Sequence, residues 1–247
     1  LFATPSEDPG VPYLVSVEGN GKQGETFHPN TVFLSRKHAE NHSSSVFVYN
    51  GIDLEEYPFV KKIGKGWGRF LFLAKASWKV KNLKDCVRAC RRAKKHLEVA
   101  GGRYWGISRY IHSHGMVNQE QKIALLQNCD ALLWPVRWHE PFGIAMIEAF
   151  AMGLPVVASG YGSMPELITP ESGVICKNYE EFLSTVLEEK NRFDASAIRA
   201  HVEEKFTSRA MAEGYFALYQ KVARGEELNP QVPRAQFKKS PQELLPF

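Results

Sequence analysis

The chain has 247 residues, 44% of them apolar and 23% charged, with 31 basic and 27 acidic side chains for a formal charge of +4. That length can bury a substantial core, as one large domain or one and a half smaller ones, and no run of about 18 apolar residues or signal-peptide pattern occurs in it. A chain that does not cross a membrane and works in the cytoplasm is therefore expected, and its four cysteines, Cys86, Cys90, Cys129 and Cys176, read as reduced core thiols because no Cys-x-x-Cys pair or zinc spacing joins them.

The charge is uneven. Residues 61–95 hold thirteen basic side chains against the single acid Asp85, a net +12 in a chain of +4, which leaves −8 for the remainder. Such a stripe is either a solvated helix face or a surface for anionic partners. Nucleic acid is not expected on it, since only Trp78 interrupts the basic run near its centre, and stacking platforms interleave aromatics with their cations.

Residues 1–10 are polar with two prolines and read as a poorly ordered or inter-strand segment. Strands are expected over residues 13–17, 30–35 and 46–49, with a brief helix over 36–41, and the turn Glu18-Gly19-Asn20-Gly21 is able to approach a ligand closely. Three short strands do not close a domain. The chain also starts at Leu1 without methionine, so an incomplete N-terminal unit over residues 1–50 is expected, followed by a larger α/β unit over 51–224 and a proline-bearing tail over 225–247.

From Arg69 onward the rhythm changes. Phe70-Leu71-Phe72-Leu73-Ala74 is a buried strand, residues 75–81 a loop, 83–96 a helix, 97–100 a strand closed by Gly101-Gly102, and 110–112 a strand before His114-Gly115. A helix over 118–128 and the strand Ala131-Leu132-Leu133-Trp134-Pro135 follow. Strand and helix in alternation imply a parallel sheet with right-handed crossovers.

The most informative stretch is residues 138–168, WHEPFGIAMIEAFAMGLPVVASGYGSMPELI. Ile144, Ile147 and Ala151 recur at helical spacing, so a helix over 143–152 is expected, stopped by Gly153. The apolar Pro155-Val156-Val157-Ala158 then suits a strand buried in a parallel sheet, turned over by Ser159-Gly160-Tyr161-Gly162. A helix starting at Gly143 aims the amides of Gly143, Ile144 and Ala145 outward from its positive end, where a diphosphate is held. Glu148, a turn and a half later, can accept both hydroxyls of a ribose. Glu140, in the preceding loop, can reach a second sugar, so the pattern describes a nucleotide sugar. Beyond it, a strand over 173–176, helices over 179–190 and 195–205, and a last helix carrying Met211, Tyr215 and Tyr219 are expected. The tail from Asn229, with Pro230, Pro233, Pro241 and Pro246, reads as an extended arm or one lying back on the N-terminal part.

This stretch resembles the retaining glycosyltransferases of family 4, whose C-terminal domain carries two glutamates with seven residues between them in an EPFG…E setting, and the resemblance covers roughly residues 12–220. It implies a GT-B architecture with a Rossmann-like donor domain and part of an acceptor domain. Lys75 and Lys81-Asn82 match the family's diphosphate-contacting Arg and Lys, Met116 and Val117 the wall against the nucleobase, and Gly19-Asn20 the turn that closes its N-terminal domain. Asn50-Gly51-Ile52-Asp53 matches the crossover, while Glu18 stands where the family often has histidine. The resemblance further implies a UDP- or GDP-linked sugar as donor, a glycan or lipid-linked acceptor, no metal or other cofactor, and a role in polysaccharide or glycolipid synthesis. Catalysis would fall to Glu140, Lys81 and Lys75, and donor binding to Glu148, Phe142, Gly143, Ile144, Met116, Val117, Gly19 and Asn20. The basic stripe would then meet the anionic inner face of the cytoplasmic membrane. A non-catalytic nucleotide-sugar-binding protein is the other expectation.

Overall fold

Two parallel sheets organise the chain, a pair of two-residue strands near its start and a larger sheet after it. The computed structural model describes residues 4, 5, 7, 9–59, 66–237 and 243–247; Lys61, Lys62 and Lys65 of the basic stripe, Pro241 of the tail and part of the polar first ten residues lie outside that set. Strands β1 (Val15–Ser16) and β2 (Thr31–Val32) form the small sheet, and β3 (Arg69–Leu73), β4 (His96–Ala100), β5 (Ile111–Gly115), β6 (Ala131–Trp134), β7 (Val156–Ser159) and β8 (Gly173–Cys176) the large one. The helices are α1 (Arg36–Glu40), α2 (Leu83–Ala93), α3 (Gln119–Asn128), α4 (Ile144–Ala151), α5 (Met164–Leu167), α6 (Tyr179–Leu187), α7 (Ala195–Lys205) and α8 (Ser208–Ala223).

The continuous apolar runs of the central strands follow from helices on both faces. Successive side chains of a strand point to opposite sides. Phe70, Phe72, Leu133 and Val157 accordingly pack with Cys86, Ala89, Phe182 and Val186 of α2 and α6. Leu71, Leu132, Trp134, Val156 and Ala158 go to the other layer, with Ile147 and Ala151 of α4 and Ile198 and Val202 of α7. Each such leucine or phenylalanine contributes about 1.5–3 kcal/mol by leaving water. All four cysteines are buried and free, as the sequence implied.

The large sheet runs β5-β4-β3-β6-β7-β8, all pairs parallel. By order of appearance this is third, second, first, fourth, fifth, sixth, so growth of the sheet reverses between β3 and β6. In open parallel sheets, ligands are held in the crevice beyond the carboxyl ends of the strands at such a point. The architecture is the Rossmann-like α/β fold, a parallel sheet between helices, that was expected.

Three expectations need correction. Residues 46–49 do not extend as a strand; they meet β2's continuation only through a bridge between Phe33 and Phe47, because Ser35 turns the chain into α1 two residues later and caps that helix on His38 N. Helix α2 stops at Ala93 rather than at residue 96, since Lys94 is left-handed (φ 55°) and His96 must begin β4 beside Arg69. Helix α6 likewise ends at Leu187, not at residue 190.

Helix α8 returns to the start of the chain. Its Met211, Tyr215 and Leu218 cover Leu14, Val32 and Val48, and Tyr215 Oη lies 2.8 Å from Ser16 Oγ. The tail then lies back on the same region, as expected, through Asn229 N to Pro29 O, Arg234 N to His42 O and Gln236 N to Asn41 O at 2.8–3.0 Å. Among the described residues no helix is long and apolar enough to cross a membrane.

Candidate functional site

The loops leaving β3 and β6 face each other at the reversal point, and an ion pair joins them. Lys81, at the end of a 3-10 turn over Lys79–Lys81, donates from Nζ to Glu140 Oε2 at 2.6 Å. Lys81 is 9% and Glu140 6% exposed. Trp138 Nε1 donates to the same oxygen at 2.8 Å. The ammonium lies 4.9 Å from the Trp134 ring and 4.8 Å from the Trp138 ring, so two indole faces replace part of the water a cation would keep. Lys75 is exposed, its Nζ 5.2 Å from the Trp78 ring, and Trp78 meets Trp138 edge-on at 6.3 Å. Lys75 therefore connects to the buried pair through an aromatic contact and not directly.

The backbone around Glu140 is fixed from three sides. Ser35 Oγ donates to Pro141 O at 2.7 Å, Ser163 Oγ to Phe142 O at 2.8 Å, and Ser163 N to Glu140 O at 3.0 Å. Gly162, at φ +65°, stands so close that a Cβ on it would lie 2.2 Å from Glu140 O. Phe142, 2% exposed, anchors the loop in the core against Tyr49 and Phe206.

Helix α4 begins at Gly143, left-handed at φ 94°, with no side-chain cap. By contrast Ser35, Asn118, Asn178, Asp194 and Thr207 cap α1, α3, α6, α7 and α8. The first amides of a helix have no acceptor within it, so those of Ile144 and Ala145 remain available to an anion. Ile144 itself is 43% exposed.

Glu148, a turn and a half along, is buried and accepts at Oε1 from Tyr57 Oη at 2.6 Å and from Lys122 Nζ at 2.5 Å. Burial, then the hydrogen bond to Glu148, raises the Tyr57 phenol above its usual range. At Lys122 burial works against the charge, but the Glu148 bond and charge outweigh it and raise the ammonium. Neither partner was visible in the sequence, where nothing in spacing or composition marks Tyr57 or Lys122.

Beyond β5, Gly115 (φ 71°) turns the chain into Met116 and Val117. Val117 packs against the main core while Met116 is 83% exposed. On the other side, the Gly19-Asn20 turn is pinned by two buried histidines. His38 Nδ1 accepts from Leu34 N at 3.2 Å, which leaves Nε2–H to donate to Gly19 O at 3.1 Å. His42 Nε2 accepts from Gly21 N at 3.0 Å, and its Nδ1–H donates to His38 O at 2.7 Å. Asn20 Nδ2 then donates to His139 O at 2.6 Å, tying the turn to the residue before Glu140. Asn20 Oδ1, Trp134 Nε1 and His139 Nδ1 are buried here without partners, and leaving such atoms unmatched is costly. Glu18 is exposed and accepts a long 3.4 Å contact from Ser16 Oγ.

The described residues of the basic stripe do not form one face. Arg69 pairs with Glu98 and Lys95 reaches the Glu188 carbonyl, while Lys84, Arg88, Arg91 and Arg92 line the outer side of α2.

Residues 53–189 match the family described as Glycosyl transferases group 1. A glycogen synthase of Mycobacterium tuberculosis is 28% identical over 147 residues, 52% of this chain and 35% of its own length. A GDP-mannose-dependent phosphatidylinositol monomannoside mannosyltransferase of Corynebacterium glutamicum is 30% identical over 148 residues, 51% of this chain and 39% of its own. The matches thus span about a third of these curated relatives. Among solved structures, AviGT4, a glycosyltransferase of avilamycin A biosynthesis, superposes with a TM-score of 0.71 at 20% identity, over 90% of this chain and 72% of that one. Anabaena HepE in complex with UDP and glucose does so at 0.60 and 18%, over 81% and 63%. At these identities the two structures support the fold.

Proposed function

The chain belongs to the glycosyl transferases group 1 family, and we propose that it holds a nucleotide-diphosphate sugar in the β3–β6 crevice for transfer of the sugar to an acceptor hydroxyl, with retention of anomeric configuration. The observation that carries this reading is the buried Lys81–Glu140 pair spanning the reversal point. An ammonium has three N–H donors, so Lys81 can keep Glu140 and still donate to a phosphate oxygen. The amides that open α4 meet the same diphosphate, and the exposed Lys75 adds charge at its outer edge. Together they offset the leaving group's charge, so no metal is required. Glu140 takes the transferred sugar through Oε1, since Lys81 and Trp138 both use Oε2. Glu148 takes the ribose, Val117 and Met116 the base, and Gly19-Asn20 closes the opposite wall.

The donor is UDP- or GDP-linked and the acceptor a glycan or lipid-linked glycan, in polysaccharide or glycolipid synthesis. The test uses the full-length protein. Nucleoside diphosphate affinity should be nearly unchanged in Glu140→Gln while transfer falls about a hundredfold, or ~2.7 kcal/mol by rate arithmetic. Chelator should not slow the wild type, and product NMR should show retention. Transfer by Glu140→Gln at the wild-type rate would sink the catalytic assignment; donor binding without any product in the wild type would leave a non-catalytic binding protein.

A further inference from the structure

A second concave surface adjoins the crevice on the outer side of its β3 loop. It has a volume of about 960 Å³ and runs between the outer side of α2 and the loop after β4. From α2 it is lined by Lys84, Arg88, Arg91 and Arg92, and from the loop after β4 by Arg103. Arg137 lies in it too, where its Nε donates to Leu245 O at 2.6 Å. No described carboxylate forms an ion pair with any of these six. Arg88 is held over the Tyr179 ring at 4.0 Å, which fixes its direction. Three aromatic side chains share the space: Trp78, 47% exposed, Tyr104, and Trp105, 89% exposed.

We propose that this groove binds a polyanionic glycan, a sugar chain bearing carboxylate, sulfate or phosphate groups. Unpaired guanidinium forks match such oxyanions in a bidentate way, and exposed indoles offer flat apolar faces to sugar rings. The cations line a concave surface contributed by α2 and by the loop after β4, whereas a membrane would need them in one outward plane. Its near end is Trp78 and Lys79, and Trp78 touches both Lys75 and Trp138 of the crevice. A chain lying in the groove therefore leads to the proposed transfer centre, which favours a glycan over single-stranded nucleic acid. That preference rests on the transferase reading.

The probe is a fluorescent heparin-derived hexasaccharide, titrated by anisotropy into the full chain at two salt concentrations. It should bind, and more weakly at higher salt. Arg91→Ala/Arg92→Ala should lower affinity about tenfold or more, and Trp105→Ala severalfold. These side chains are exposed, so the variants should keep the wild-type melting temperature, and UDP and GDP affinities should not change. Equal binding of neutral maltohexaose, affinity unmoved in the Arg91/Arg92 variant, or tighter variant-sensitive binding of a single-stranded oligonucleotide of equal charge or of phosphatidylglycerol vesicles would each overturn the proposal. Loss of nucleotide binding alone would strike the transferase reading and leave the hexasaccharide result standing.

Discussion

A lysine and a glutamate that are each more than nine-tenths buried depend on one another, because removing one leaves the other's charge in a poor solvent. Breaking such a pair costs about 3–5 kcal/mol, whereas replacing both partners by apolar or neutral groups is often near neutral. Lys81 and Glu140 meet this condition, so any loss of activity in Glu140→Gln has two possible sources. They separate in the double variant. Glu140→Gln should lower stability measurably in urea unfolding, and Lys81→Met/Glu140→Gln should recover most of that loss while sugar transfer stays down about a hundredfold or more. If the double variant transfers sugar at the wild-type rate, the pair only holds the two loops together. Glu148, like Glu140, is held by two donors, here Tyr57 and Lys122. Glu148→Gln keeps its shape but loses charge-assisted bonds worth about 1.5–3 kcal/mol each to a partner, and titration should show nucleotide affinity down about tenfold. Unchanged affinity would move the ribose elsewhere.

At the level of elements, the site depends on where helices start and which glycines back them. Gly162 lies against the Glu140 backbone at a left-handed φ, so Gly162→Ala forces that loop to move whatever else it touches. We expect transfer to fall more than nucleotide binding does, and a crystal structure of the variant to show Glu140 displaced from Lys81. Retained activity and an unmoved Glu140 would mean the loop yields without effect. The same local logic decides what the sequence could disclose. Glu140, Phe142-Gly143 and Glu148 were legible because one loop and one helix turn hold them at fixed spacing, and β3, β6 and β7 because burial on both faces writes continuous apolar runs. Tyr57 and Lys122 reach Glu148 from 91 and 26 residues away, a closeness created only by folding. The residues over 46–49 have strand composition, but Ser35 removed the length of β2 they needed. The basic stripe, continuous in sequence, was divided by the helix period between α2's outer face and the far end of the sheet. The aromatics that face it, Tyr104 and Trp105, come from another loop.

Over the whole molecule, the Gly19–Gly21 turn that meets the Glu140 loop through Asn20 is fixed to α1 by neutral histidines, and this makes stability depend on pH. Burial, and next the neighbouring His42, pushes His38 from 6.5 down to about 3, against a smaller opposing effect of the Gly19 carbonyl. Burial also lowers His42, opposed by the His38 carbonyl and Glu25, and His139, where Lys37 adds to the effect. The geometry gives the reason, since both ring nitrogens of His38 and of His42 are already committed to backbone partners. The unfolded chain takes up protons near the ordinary value and the folded chain does not, so stability is complete above about pH 6.5 and is lost as pH falls below it. His38, the most deeply buried of the three, removes about 1.4 kcal/mol per pH unit within its window. Urea midpoints should therefore drop from pH 7 to pH 5.5, a range in which ordinary carboxylates titrate little. His38→Gln, which retains an acceptor and a donor but gains no proton, should show a shallower drop. Because these rings pin Gly19 and Gly21, nucleotide affinity should weaken over the same interval in the wild type and less in the variant. A wild-type midpoint constant from pH 7 to 5.5, or an identical slope in His38→Gln, would show that the histidine pair does not govern the attachment of this segment.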